Sequence, residues 1–258
     1  MKNAFIFPSS LIFLLVLAFP VFSLDIDRLA PEDQARVGSI VARLEPLLVP
    51  KKADGSANLL SFENLYQLLS KDDQTLLDQI RSLNPAALGA TAHTFPEEKG
   101  VEFVKLEKSP IRRKTPPEEI GPQFLPKKVY EAYEAMMKEM EKDLGKRLYV
   151  ESGYRSPAYQ LYLFLTYLPK HNDSIRETNR FVALPGHSEH GAPSHQAIDF
   201  INAESINGED HPEEFEALPE YKWLMQNARR FGFFLSYPRD NPWHTSFEPW
   251  HWHYEGED

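Results

Sequence analysis

The chain has 258 residues, with 28 basic against 38 acidic side chains, a formal charge of −10, and 42% hydrophobic residues. That length and apolar content suit one mid-sized domain with an appendage, while the acidic balance and the lack of a long basic run exclude a nucleic-acid surface, which needs lysines and arginines set against phosphates. With no cysteine there is neither a disulfide nor a thiolate metal site, so any metal must be held by His, Asp or Glu.

Residues 1–23 carry Lys2, an uncharged run centred on LIFLLVLAFPVF, and Ser23 before Leu24-Asp25. A basic start, a short apolar segment and a small residue at the cut describe a secretory signal peptide cleaved after Ser23, which predicts an exported, periplasmic or cell-envelope protein. The competing reading is an uncleaved anchor, but the apolar part is short of the roughly 20 residues a span needs, and Pro20 interrupts it. No stable membrane span is expected after cleavage.

Residues 24–90 read as a helical accessory region. Pro31-Glu32-Asp33 looks like a first turn, Val37, Ile40, Val41 and Leu44 repeat on one helix face, and Pro46 is expected to stop it. A polar turn over Lys51 to Asn58 follows. Leu65, Tyr66, Leu68 and Leu69 make a second face, and Ser70-Lys71-Asp72-Asp73 caps a third helix with Leu76, Leu77, Ile80 and Leu83 inward. No clustered chemistry accompanies these helices, so packing or partner contact is the expectation.

Residues 91–126 are rich in Pro, Gly and charge and read as a linker or wrapping arm, with one strand at Val101–Leu106. Arg112-Arg113-Lys114 reads as a solvated loop. The remaining stretch, 127–258, carries the chemistry. A helix over Pro126–Leu144 places Val129, Tyr133, Met136, Met137, Met140 and Leu144 on one face and ends at Gly145. Arg147–Ser152 reads as a strand, Pro157–Leu168 as a helix, and Glu204–Glu220 as a solvated acidic helix, with a loop at the cleft as the alternative.

Two clusters stand out. The loop LPGHSEHGAPSHQAIDF, residues 184–200, holds His187, His190, His195 and Asp199 and runs into an apolar strand at Ala197–Ile201. The C-terminal FEPWHWHY, residues 247–254, puts His251 and His253 on one strand face and Trp252 on the other, with Glu248 as the last loop residue beside Pro249. Zinc sites that do chemistry use three His or carboxylate ligands and leave the fourth position for water. The loop could supply two such ligands and the C-terminal strand one, with Glu248 free to carry protons.

Ser152-Gly153-Tyr154-Arg155-Ser156, Ser188-Glu189-His190 leading to Ala197-Ile198-Asp199-Phe200, and Glu248-Pro249-Trp250-His251-Trp252 together resemble the three signatures of the VanY-like D-alanyl-D-alanine carboxypeptidases. The resemblance covers about Lys127 to Tyr254. It implies an α+β zinc peptidase domain, a small antiparallel sheet with packed helices around an open cleft, here with an N-terminal helical appendage. It implies Zn2+ on His190, Asp199 and His251, with Glu248 as general base and Arg155 stabilising the oxyanion or gripping a substrate carbonyl. Ser188 and Gln160 become hydrogen-bond partners for the terminal D-residue of a peptidoglycan stem peptide. The implied activity is release of a terminal D-alanine. An L,D-carboxypeptidase, an endopeptidase or a non-catalytic wall-binding module on the same site remain open. The chain departs from the pattern twice: two extra residues separate His190 from Asp199, which keeps His187 and His195 open as ligands, and His253 stands where an arginine is common. His253 is expected at the rim of the site, touching substrate or solvent.

Overall fold

The computed structural model describes residues 24–89, 93–107, 109–114, 117–209, 211–241 and 246–256, so the expected signal peptide lies outside the described residues. The first helix, α1 (Pro31–Asp54), starts with Pro31 in its first turn beside Glu32 and Asp33, where a missing N–H costs little and acidic groups meet the positive end of the helix dipole. It does not stop at Pro46. It runs through Pro46 and Pro50 and ends at Gly55, whose φ of 81° forms a left-handed cap. The physical reason is the apolar face: Val37, Ile40, Leu44 and Leu48 are all 1% exposed or less. Each interior proline forfeits a helix hydrogen bond, and burying Leu48 offsets much of that loss, at about 1.5–3 kcal/mol.

The turn expected from Lys51 is therefore the last turn of α1 followed by a short 3-10 segment, Ser56–Leu59. Both α2 (Phe62–Tyr66) and α3 (Lys71–Arg81) begin on a serine, Ser61 and Ser70, whose hydroxyl accepts the amide three residues on while that residue's side chain reaches back. These reciprocal capping bonds explain why such short segments hold a helix. In the arm that follows, β1 (Phe103–Leu106) pairs antiparallel with a strand still to come, and the basic run expected as a loop is instead β2 (Arg112–Lys114), paired with β3 (Pro117–Glu119). The partner of β1 is β4 (Gln123–Pro126).

Pro126 leads directly into α4 (Lys127–Leu144), which buries Val129, Tyr133, Met136, Met137 and Met140. Leu144, expected inward, is exposed at the helix end where the chain turns through Gly145. The chain continues as β5 (Leu148–Ser152), α5 (Pro157–Tyr167), α6 (Ile175–Thr178), β6 (Ala197–Asn202), α7 (Pro212–Ala217), α8 (Pro219–Asn227), β7 (Phe233–Leu235) and β8 (His251–Tyr254). The last four strands form one antiparallel sheet in the order β5-β6-β8-β7. The architecture is α+β.

Two apolar cores flank the cleft. The first joins Leu44, Leu65 and Leu77 of the N-terminal helices to Leu161, Phe164 and Leu165 of α5. The second packs α4 and α8 on one face of the sheet through Met136, Met140, Phe200, Trp223, Phe233 and Trp252. Because strand side chains alternate, burying Phe200 and Trp252 on that face turns Asp199, His251 and His253 to the opposite one. A cleft of about 1180 Å³ opens there, walled by the sheet, α5 and the arm.

Gly153 marks how closely β4 approaches the end of β5. A Cβ added there would stand 2.5 Å from the Phe124 carbonyl oxygen, which accepts the Tyr154 amide at 2.7 Å. Gly153→Ala should therefore destabilise the fold by about 1–3 kcal/mol, the usual cost of overpacking. Gly38→Ala, in an exposed turn of α1 with nothing within 4 Å, should stabilise it by about 1 kcal/mol. Urea midpoints of the two variants moving in opposite directions would establish both assignments.

Candidate metal centre

Three segments converge on the open face of the sheet. His190 lies in a 3-10 turn, Glu189–Gly191, and its Nδ1 donates to the Gly153 carbonyl at 2.8 Å. That bond fixes the tautomer and leaves Nε2 with a bare lone pair. Nε2 sits 3.1 Å from Oδ2 of Asp199, yet it is buried without a hydrogen-bond partner. Two acceptors held that close need a cation between them. Burial and the nearby Arg155 charge push His190 below the usual imidazole range, although Asp199 opposes them, so the chain's own groups disfavour supplying the cation as a proton on His190.

Asp199 stands directly opposite His251 in the pairing of β6 with β8. Its Oδ1 meets His251 Nδ1 at 2.8 Å, while His251 Nε2 donates to Oε2 of Glu189 at 2.8 Å. The His190 and His251 rings are 4.9 Å apart and nearly perpendicular, and the ligating atoms of His190, Asp199 and His251 lie within 4.8 Å of one another. Against the cost of burial, Asp199 and Glu189 raise His251 to about 10, while the two imidazoles hold Asp199 well below the carboxylate range. In the absence of a metal, a proton on His251 partly does a cation's work. Two imidazoles and a carboxylate around an orphaned lone pair fit a zinc ion with an open coordination position.

Of the three loop histidines, His190 alone joins Asp199 and His251. His187 is turned away, with Nδ1 2.9 Å from the His93 carbonyl. His195 closes a second 3-10 turn, Pro193–His195, that takes up chain before Asp199, and its Nε2 is 3.2 Å from Oε1 of Glu189. The arm secures this loop: Glu98 accepts from the amide and hydroxyl of Ser194, and Phe95 stacks on His195. His253 is not at the rim. It is 9% exposed, and its Nδ1 is 2.7 Å from the Ser236 hydroxyl.

Glu248 lies in the turn before β8. Its amide donates to the Tyr237 carbonyl and its own carbonyl accepts the His251 amide, which folds its carboxylate over the strand to 3.9 Å from His251 Nδ1. Burial, joined by the charges of Asp199, Glu209 and Glu189 and opposed by His251, pushes its carboxyl up to about 7. Arg155 is anchored by its amide on the His190 carbonyl, lines the cleft, and keeps Nε buried without a partner. Gln160 and Ser188 also line the cleft; Gln160 donates to the Ala183 carbonyl and leaves Oε1 unpaired.

Sequence reasoning passed over Glu189, Ser236 and Tyr237. Ser236 donates to Oε2 of Glu189 at 2.6 Å, and the Tyr237 ring lies 5.0 Å from that of His251. Glu189 was visible beside His190; Ser236 and Tyr237 had no local signal, because only the pairing of β7 with β8 brings them in.

A carboxyl raised from about 4.5 when unfolded to about 7 when folded holds more protons in the native state between those values, so it lowers stability as pH rises through that window. Chelator-treated Glu248→Gln should accordingly be more stable than the parent at pH 8 and no more stable at pH 4, as measured by thermal unfolding at each pH.

Over 142 residues the chain is 32% identical to YodJ of Bacillus subtilis (strain 168), covering 54% of this chain and 50% of that one. It is 36% identical over 116 residues to a D-alanyl-D-alanine carboxypeptidase of Enterococcus faecalis (strain ATCC 700802 / V583), covering 42% of this chain and 40% of that one. The chain thus spans about half the length, or less, of these curated relatives. Among solved structures, that of the LdcB LD-carboxypeptidase superposes with a TM-score of 0.49 at 24% identity, over 67% of this chain and 78% of that one. Residues 122–257, which carry the whole four-stranded sheet and every side chain of the triad, match the VanY family of D-alanyl-D-alanine carboxypeptidases, and the chain belongs to that family.

Proposed function

We propose that the chain is an exported zinc-dependent carboxypeptidase that removes the terminal D-alanine from peptidoglycan stem peptides, with His190, Asp199 and His251 holding the metal. The observation that carries this reading is the position of the Glu248 carboxylate, folded over β8 to 3.9 Å from His251 Nδ1 in the cleft beside the triad, where burial raises its carboxyl to about 7. A group that titrates near neutrality can both accept and return a proton. A bound zinc ion would supply Lewis-acid polarisation of the scissile carbonyl and acidify water at its open position.

In this reading Glu248 takes a proton from the attacking water and later gives it to the departing amine of D-alanine. Arg155, with an unpaired Nε and a permanently charged planar fork, balances charge developing on the carbonyl oxygen. Gln160, whose Oε1 is buried without a partner, and Ser188 both line the cleft and orient the terminal residue. Glu189 accepts the Nε2 proton of His251 and so holds that imidazole's ring orientation and raises its basicity as a ligand. We assign 127–258 as the peptidase portion, 91–126 as the arm that braces its loop, and 24–90 as an accessory region covering α5.

The size of the cleft favours one second reading. At about 1180 Å³, reaching past the triad to Tyr167, Lys170 and Arg180, it exceeds the roughly 300–1,000 Å³ of a small-molecule site. Room of that kind suits an endopeptidase that holds peptide on both sides of the scissile bond.

Incubation with pentapeptide and tetrapeptide muropeptides, with and without chelator, separates these outcomes. Chelator-sensitive release of one D-alanine is expected; internal cleavage would favour the endopeptidase, and bound metal without cleavage would favour a wall-binding module. Glu248→Gln should lower turnover by about 10²–10⁴-fold at unchanged zinc content. Near-normal turnover would remove Glu248 from its role. Glu189→Gln should weaken zinc binding by about 10–100-fold, the usual effect of losing a ligand's supporting carboxylate, measured by competition with a chromophoric chelator.

A further inference from the structure

The triad does not exhaust the metal-binding chemistry of the cleft. Glu189 has two carboxylate oxygens with different tasks. Oε2 accepts from His251 Nε2 and from the Ser236 hydroxyl. Oε1 points the other way, 3.2 Å from His195 Nε2 and 3.8 Å from His253 Nδ1. The two imidazoles lie face to face, centroids 4.0 Å apart and 21° from parallel, so their nitrogens sit in pairs. One pair faces Glu189. On the outer side, Glu255 Oε1 stands 3.2 Å from His253 Nε2 and 3.8 Å from His195 Nδ1.

We propose that Glu189, His195 and His253 form a second divalent transition-metal site beside the triad, with the Glu255 carboxylate set against the imidazole nitrogens that face away from the ion. Three observations carry it. One donor atom from each of the three residues falls within 4.8 Å of the others, a spacing an ion closes once the stacked rings turn toward it and His253 Nδ1 gives up its contact with the Ser236 hydroxyl. The donors come from separate segments, the loop and β8, each fixed by its own backbone pairing: Ala197 is opposite His253 in the sheet, and Tyr254 donates its amide to the Gln196 carbonyl. The set is also reachable, since all four residues line the cleft and the His195 side chain is 26% exposed.

Imidazole nitrogens with carboxylate oxygens select zinc, nickel or copper over magnesium and calcium, which prefer oxygen alone. Glu189 is shared between the sites: its inner oxygen supports His251 and its outer oxygen faces the second ion. An ion on the outer oxygen withdraws charge from the inner one, so filling the second site loosens the support of His251. The second site would thus act as an inhibitory position that fills at higher metal concentration. Binding of the second ion stands whether or not the triad hydrolyses peptides; its inhibitory effect rests on the proposed function.

The test is a titration of the chelator-treated chain with Zn(II), read by competition with a chromophoric chelator and by elemental analysis after desalting. Two equivalents are expected, the second weaker. His195→Gln and His253→Arg should each remove the second equivalent and keep the first, while His190→Ala should remove the first. Retention of the first equivalent shows that a variant has folded. Uptake of one equivalent by the parent chain, or a second equivalent that survives both His195→Gln and His253→Arg, would overturn the site. In the unsubstituted chain, the second equivalent should move the imidazole NMR signals of His195 and His253 and leave His187 still. A response at His187 with none at His195 and His253 would overturn it independently of any variant. Loss of an equivalent in His253→Arg without one in His190→Ala would keep this site and count against the triad.

Discussion

The constraint on which the site depends is the meeting of Asp199 with two imidazoles at 2.8 and 3.1 Å. One of them, His190, is prevented from donating by its own bond to Gly153. A carboxylate facing a buried lone pair is repulsive unless a cation intervenes, and an unpaired buried charge is costly. The fold tolerates the arrangement because the backbone over-determines it. Asp199 is locked between Ser152 and His251 by strand register, and the His190 turn is tied to β5 through Arg155 and Gly153. The sheet thus imposes a cation site instead of relaxing away from it.

The same register explains why Glu189 matters. It is buried against three histidines and Ser236, and hydrogen bonds from His195 and His251 hold its carboxyl far below the usual range despite burial. A permanently ionised carboxylate behind His251 both orients the ring and supplies the negative charge that lets a cation sit on its far side. The two places where the sequence parts from the family pattern, the longer loop before Asp199 and the histidine at 253, meet on this one carboxylate. Neither departure is random in space.

Much of this was legible from residue pattern alone. Alternation in FEPWHWHY correctly separates His251 and His253 from Trp252, because a strand with one buried face can hold only one register. The family resemblance, not spacing, points to His190 with Asp199 and His251 ahead of any coordinates; the loop by itself leaves His187 and His195 open. The stop expected at Pro46 failed because local propensity yields to tertiary burial: the proline rule has no knowledge of the Leu48 pocket. His253 was assigned to the rim for a similar reason, since nothing in its neighbourhood along the chain announces that Ser236 and Glu189 arrive from 17 and 64 residues away.

Glu248 shows how far parity arguments reach. On an ideal strand it would point away from His251, and Pro249 was the one sign that the strand does not extend to it. The turn it starts, closed by the His251 amide on its own carbonyl, converts a wrong-face residue into one that overhangs the triad. Its raised pKa follows chiefly from burial, to which the charges of Asp199, Glu209 and Glu189 add against the pull of His251. Burial in a proline-bounded turn, more than its acidic neighbours, is what lifts the carboxyl of this glutamate. On the far face Trp252 packs into the core, and its indole N–H donates to the Pro249 carbonyl at 2.9 Å, which ties the turn to the strand.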